Sequence, residues 1–209
     1  KERDGCSFGN AGMIVPSHFI PLAAPGMIKL GLKWMWNPES PFYIRPRVSW
    51  DLLSWLWRFK NACSSAHVKR SAPLLRDLHL ASRSCFQNLT TELADDFSLT
   101  PNGLLMLCQS KQALDEEAET AQLANRLNVE AQVLDAQATA EKDPSIEMNV
   151  TGSVYYPRDC HLSPNRLMQC LQSELSARGC RFLWDTDCTE FRLQNQRVSA
   201  VDTAQGAID

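Results

Sequence analysis

The stretch CSFGNAGMIVPSHFIPLAAPGMIKLGLKWMWNPESPFYIRPR, from Cys6 to Arg47, decides how this chain is read. Its opening, residues 5–17, is small and Gly-rich and then apolar, which predicts a loop leading into a short buried strand. Pro21, Pro25, Pro38, Pro41 and Pro46 follow. Each fixes φ and lacks a donor, so 21–46 holds no long helix except between Gly26 and Trp36.

Downstream, Ser49 is placed to cap a helix running to about Cys63, with Val48, Leu52, Trp55, Leu56 and Phe59 on one face. A second helix is expected from Ala72 to Phe97, with Pro73 in its first turn. Gly103–Cys108 reads as a buried strand, and Lys111–Leu127 as a helix with an exposed acidic start that suits the helix dipole. Val129, Ala131 and Val133 alternate as a strand does, and Ser153–Pro157 reads as another. Ser163-Pro164 predicts a helix start, and Gly179 its end. Cys180–Trp184 is expected to be a strand, and 188–193 with 197–203 a hairpin turning at Gln194-Asn195-Gln196. Gln205-Gly206 begins a further turn. Helices and strands mix without strict β-α-β alternation, so the expected class is α+β.

Composition narrows the function. A net charge of -3 argues against a nucleic-acid partner held by bulk electrostatics. No run of 18 apolar residues predicts a spanning helix, and Lys1-Glu2-Arg3-Asp4 does not open a signal peptide. The eight cysteines form no C-x-x-C pair, so most of them read as small buried hydrophobes in a reducing compartment, and no metal site is expected.

Cys6–Arg47 together with GSVYYPRDCHLSPNRLMQCL, Gly152–Leu171, resembles the D-amino-acid dehydrogenases of the glycine oxidase/D-amino-acid oxidase group of FAD-dependent oxidoreductases. The resemblance is clear over about 5–47 and 150–206, and between them it holds mainly in the order of helices and strands. It implies a substrate (cap) domain with a mixed or antiparallel sheet and helices, joined to part of an FAD-binding domain. The expected layout is 1–47 flavin-domain segment and connection, 48–149 cap domain, and 150–209 return into the flavin domain. The family's G-x-G-x-x-G turn is absent from these residues, and its C-terminal flavin segment is not found either. The chain is therefore expected to be an internal piece that does not retain FAD by itself.

The implied reaction is oxidative deamination of a D-amino acid, with a hydride passing from Cα to flavin N5 and the imine hydrolysing to a 2-oxo acid. Neither a Ser-His-Asp triad nor a metal is required, and no catalytic residue is singled out. A glycine, sarcosine or imino-acid oxidase is the near alternative. A non-catalytic domain that binds a small acid or another subunit is the distant one.

Ser7, Gly9, Asn10, Ala11, Gly12 and Met13 are the loop implied to pass near the flavin, where small residues let peptide N–H groups approach a planar ring. Cys188 matches a position whose backbone touches the adenine end of FAD. His161, Tyr156 and His18 are the candidate substrate contacts, with local hydrogen bonding or core packing as the alternative for each. Met27–Trp36 is basic, apolar and Trp-bearing. It suits either packing inside the cap domain or peripheral contact with a membrane near an electron acceptor, which would put a cytoplasmic protein at the inner membrane face. An exposed hairpin edge at 188–203 predicts self-association.

Overall fold

The computed structural model describes residues 5–34, 47, 49–93 and 96–208. Its backbone divides into two compact units that interleave along the chain. One comprises residues 13–89 and 99–162. The other gathers the described parts of 1–12, 90–98 and 163–209.

The first unit is built on a three-stranded antiparallel sheet. Its strands are β2 (Leu104–Cys108), β3 (Gln132–Asp135) and β4 (Gly152–Tyr156), in the order β2-β4-β3. The register sets Met106 and Val133 opposite Val154 on either side of the central strand. Helix α4 (Lys111–Arg126) joins β2 to β3 and lies against the sheet. Ser110 caps it, its hydroxyl accepting from the Ala113 N–H at 3.2 Å. The expected acidic start is not there: Lys111 opens the helix and pairs one turn on with Asp115 at 3.0 Å.

The core of this unit joins Phe19, Ala72, Ala121, Ala124, Val129, Ala131, Val154 and Tyr156. Alanines at 121 and 124 let α4 approach β4 closely. The β3 ladder begins at Gln132 rather than Val129, although Val129 and Ala131 are buried. The cause is Asn125, whose side chain donates to the Ala131 carbonyl at 2.9 Å and accepts its N–H at 3.0 Å. Both backbone groups of Ala131 are thereby taken before the sheet can use them.

Short strands β1 (Met13–Ile14) and β5 (Cys160–His161) pair antiparallel, Met13 opposite His161 and Ile14 opposite Cys160. His161 therefore sits on a strand. Helix α1 (Met27–Trp34) falls inside the window the prolines left open. Helix α2 (Trp50–Ala62) starts at Ser49 as expected, the Ser49 hydroxyl accepting from the Leu52 N–H. Neither helix buries a side chain fully, and Trp50 and Trp57 are 86% and 66% exposed. Val48 of the expected stripe lies outside the described residues.

Helix α3 (Ser65–Glu92) begins seven residues before the expected start, so Pro73 sits inside it. Ser64 supplies the cap, accepting from the His67 N–H at 3.3 Å. Pro73 forfeits one intrahelical bond without ending the helix, because the neighbouring Ala72 is locked into the core. Helix α5 (Ala136–Lys142), not anticipated from the sequence, is capped by Asp135 through a 2.8 Å bond from the Ala138 N–H.

In the second unit, α6 (Pro164–Ala177) starts with proline at its first turn and is closed by Gly179 at φ +86. Cys180–Trp184 forms no strand: Phe182 and Trp184 stack on each other at 5.3 Å instead of pairing into a ladder. Strands β6 (Cys188–Gln194) and β7 (Arg197–Thr203) form the expected hairpin, with Asn195 and Gln196 both at positive φ. A third strand, β8 (Gly206–Ile208), pairs with β7 where only a turn was expected. The α+β class holds, with small antiparallel sheets beside helices.

Candidate functional site

In the unit comprising 13–89 and 99–162, a cavity of about 240 Å³ is lined by Ser17, His18, Ile20, Met106, Glu117, Thr120 and Tyr156. Three elements build it. Strand β4 ends on Tyr156, which shares the inward face with Val154 two residues earlier. Helix α4 offers Glu117 and Thr120, three residues apart and so on one side. After β1, residues 15–18 turn back, the His18 N–H donating to the Val15 carbonyl at 3.0 Å, with Pro16 where such a turn favours proline.

Asp159 fixes that turn. Its side chain is buried, accepting the Ser17 N–H at 3.1 Å on one oxygen and the Ser17 hydroxyl at 2.5 Å on the other. The Ser17 hydroxyl also meets Nδ1 of His18 at 3.1 Å. Burial pushes the Asp159 carboxyl above its ordinary range, while the two Ser17 bonds and the nearby His18 and Arg83 oppose the shift.

The Tyr156 hydroxyl points at Glu117 Oε1, 3.4 Å away. Burial first, and then the Glu117 charge, hold its phenol well above the usual range, so it stays a neutral donor. Burial likewise pushes up the thiols of Cys108 and Cys160, which makes neither a nucleophile. A larger cavity of about 400 Å³, lined by Pro25, Ser65, Val68, Lys69, Ala72, Leu123 and Leu127, is mostly apolar. The smaller one carries the convergent polar groups that orient a small ligand.

Of the residues singled out for substrate contact, His18 and Tyr156 thus meet in one cavity. His161 does not line it. It lies exposed on β5, its backbone bonded to Thr100 at 2.8 and 3.2 Å. Ser17, Glu117, Thr120 and Asp159 were not singled out. Ser17 adjoins His18 and Asp159 lies two positions before His161, but nothing in the sequence shows that positions 142 apart meet.

The Gly-rich loop belongs to the other unit, apart from Met13, which opens β1 and is 44% exposed. Asn10 shapes the loop. Its amide donates to the carbonyls of Cys6 and Ser7, both at 3.0 Å, and its oxygen accepts the Gly12 N–H at 2.8 Å. Gly12 takes a left-handed φ of +64 that glycine adopts without strain. A Cβ at Gly9 would meet nothing within 4 Å, so one flank of the loop is open to a flat ligand. Exposed Ser7 and Ala11 complete a surface of small groups and peptide dipoles, which suits one wall of a flavin site. Cys188 is exposed at the start of β6, opposite Thr203.

Among the described residues, no group of three or more His, Cys, Asp or Glu is placed to hold a metal, and no helix is long and apolar enough to cross a membrane.

The family model DAO, FAD dependent oxidoreductase, matches residues 2–209. A D-amino acid dehydrogenase of Granulibacter bethesdensis is 28% identical over 218 residues, covering 98% of this chain and 51% of that protein. One from Helicobacter pylori is 26% identical over 200 residues, covering 96% of this chain and 48% of that protein. Glycine oxidase from Geobacillus kaustophilus shares the fold, with a TM-score of 0.64 at 18% identity over 98% of this chain and 43% of that one. The chain spans about half the length of the curated relatives it matches.

Proposed function

Because this chain belongs to the DAO family of FAD-dependent oxidoreductases, we propose that it serves the oxidative deamination of D-amino acids, with the unit of residues 13–89 and 99–162 holding the substrate. The names of its relatives, D-amino acid dehydrogenases, support this reaction class. The observation that carries the assignment is the cavity where Tyr156, Glu117 and His18 converge.

Those groups complement an amino acid. The Tyr156 hydroxyl, neutral through burial, donates to the substrate carboxylate. The Glu117 carboxylate balances the ammonium group, and His18 stands at the exposed entrance. A volume near 240 Å³ favours short side chains, since it falls below the about 300–1,000 Å³ of drug-sized pockets.

FAD, when bound, supplies the acceptor for the hydride that leaves Cα. The loop residues Ser7, Asn10, Ala11 and Gly12 would line it through backbone groups, with Met13 and the Cys188 backbone as further contacts. Asn10 acts indirectly by holding the loop's shape. The test is turnover by the FAD-loaded protein of a panel of D-amino acids, L-amino acids and cyclic imino acids with an artificial electron acceptor. Oxidation of small D-amino acids is the expected result. Failure to turn over any amine removes the proposal.

A further inference from the structure

We propose that Asp159 and Ser17 form a relay that holds His18 in its Nδ1–H tautomer, leaving Nε2 to take the ammonium proton of an amino acid in the cavity. The base role rests on the substrate reading of that cavity; the tautomer does not.

The argument is a count of hydrogens. An ionised carboxylate only accepts, and Asp159 takes that form above its raised pKa, the two Ser17 bonds and the Arg83 charge working against the burial that raises it. Both Asp159 oxygens are engaged by residue 17, one by its N–H at 3.1 Å and one by its hydroxyl at 2.5 Å. The single hydroxyl hydrogen of Ser17 is therefore committed to Asp159. Only lone pairs remain for Nδ1 of His18, 3.1 Å away, so Nδ1 must carry the hydrogen. In the neutral ring, Nε2 is then the unprotonated nitrogen, on a side chain that both lines the cavity and reaches solvent.

The chemistry needs such a group. A substrate ammonium has no lone pair to support departure of hydride from Cα. One N–H bond must break first, its electron pair staying on nitrogen, while the proton bonds to Nε2. The resulting imidazolium donates to Ser17 and faces the charge of Asp159 behind it. It then returns the proton to water. Glu117 on α4 and Arg83 on α3 are the other charged groups around this array. Ser17 and Asp159 act as positioning residues, and His18 would be the catalytic one.

The test is ¹⁵N NMR of the full chain with labelled histidine, the His18 signals assigned by His18→Gln. The wild type is expected to show Nδ1–H in the neutral ring. Ser17→Ala should lose it, and Ser17→Thr should restore it. Asp159→Asn, which keeps the shape, should also lose it, because the amide can donate to Ser17 and turn its hydroxyl toward His18. An Nε2–H ring in the wild type, or an Nδ1–H ring that persists in both variants, overturns the relay. Titration with D-alanine separates the two readings. A shift of the Nε2 signal toward the protonated form supports the base role; an unmoved Nε2 signal while D-alanine shifts the Tyr156 ring signals overturns the base role alone, and no shift at either residue overturns the substrate reading. In the FAD-loaded protein, His18→Gln should lower kcat/KM by about 10²-fold or more.

Discussion

Asp159 accepts both the N–H and the hydroxyl of Ser17, tying the turn after β1 to the end of β4 across 142 positions of sequence. Replacing Asp159 with alanine strands the buried Ser17 N–H and leaves the Ser17 hydroxyl only His18 to turn to. The expected cost is about 3 kcal/mol, the upper range for unsatisfied buried groups, read from the urea unfolding midpoint. A loss under about 1 kcal/mol would mean that water reaches Ser17.

The same carboxylate makes an unusual pH signature. Burial raises its folded-state pKa above the unfolded value. Between those two values the folded chain binds more protons than the unfolded one, so stability falls as pH rises across the window and is flat outside it. The stability of wild type relative to Asp159→Asn should therefore decline as pH increases from about 4 to the raised pKa. Unfolding free energies at a series of pH values check this, and a difference that grows with pH contradicts it.

Tyr156→Phe keeps the buried ring and removes one hydroxyl. If that hydroxyl holds the substrate carboxylate, KM for a D-amino acid should rise about tenfold, the equivalent of one hydrogen bond of about 1.4 kcal/mol. Steady-state kinetics on the FAD-loaded variant give the answer; an unchanged KM assigns Tyr156 to packing alone.

Gly103 adopts φ +82, and a Cβ there would run into the ring of Tyr155, 2.7 Å from its Cζ and hydroxyl oxygen. Its N–H also donates to the Asp159 carbonyl at 3.0 Å. Gly103→Ala should cost about 3 kcal/mol from backbone strain and steric clash together, seen as a lowered thermal midpoint.

Gln196 sits at φ +62 in the two-residue turn between β6 and β7, following Asn195 at φ +52. Glycine is the preferred partner for asparagine in such a turn. Gln196→Gly should stabilise the hairpin by about 0.5–1 kcal/mol, measurable by slower amide exchange in β6 and β7.

Local chemistry made much of this fold legible in the sequence. Ser49 and Ser163-Pro164 marked real helix starts, and the polar tip at 194–196 marked a real hairpin. Errors arose where a distant partner overrode the local signal. Pro73 suits a first turn, and nothing in 65–72 reveals that Ala72 is anchored in the core. The strand expected from Val129 was shortened by the Asn125 side chain, and Cys180–Trp184 has strand composition but no ladder. The candidate site followed the same rule. His18 and Tyr156 stood out by type, whereas Glu117 looked like any solvated helix carboxylate until α4 was laid on β4. Asp159 and Ser17 could be paired only once β1 and β5 were known to run side by side.

The interleaving of the two units also sets a timetable for biosynthesis. The chain passes from one to the other after residues 12, 89, 98 and 162. Every residue of the unit holding the Asp159–Ser17 contact has thus been translated by Leu162, while α6 and strands β6 to β8 are still to come. At about 5–20 residues per second, the ribosome needs roughly 2–9 s more to finish them. That interval gives the unit of 13–89 and 99–162 a head start. The segments 5–12 and 90–98, which belong to the later unit, are translated before the rest of that unit.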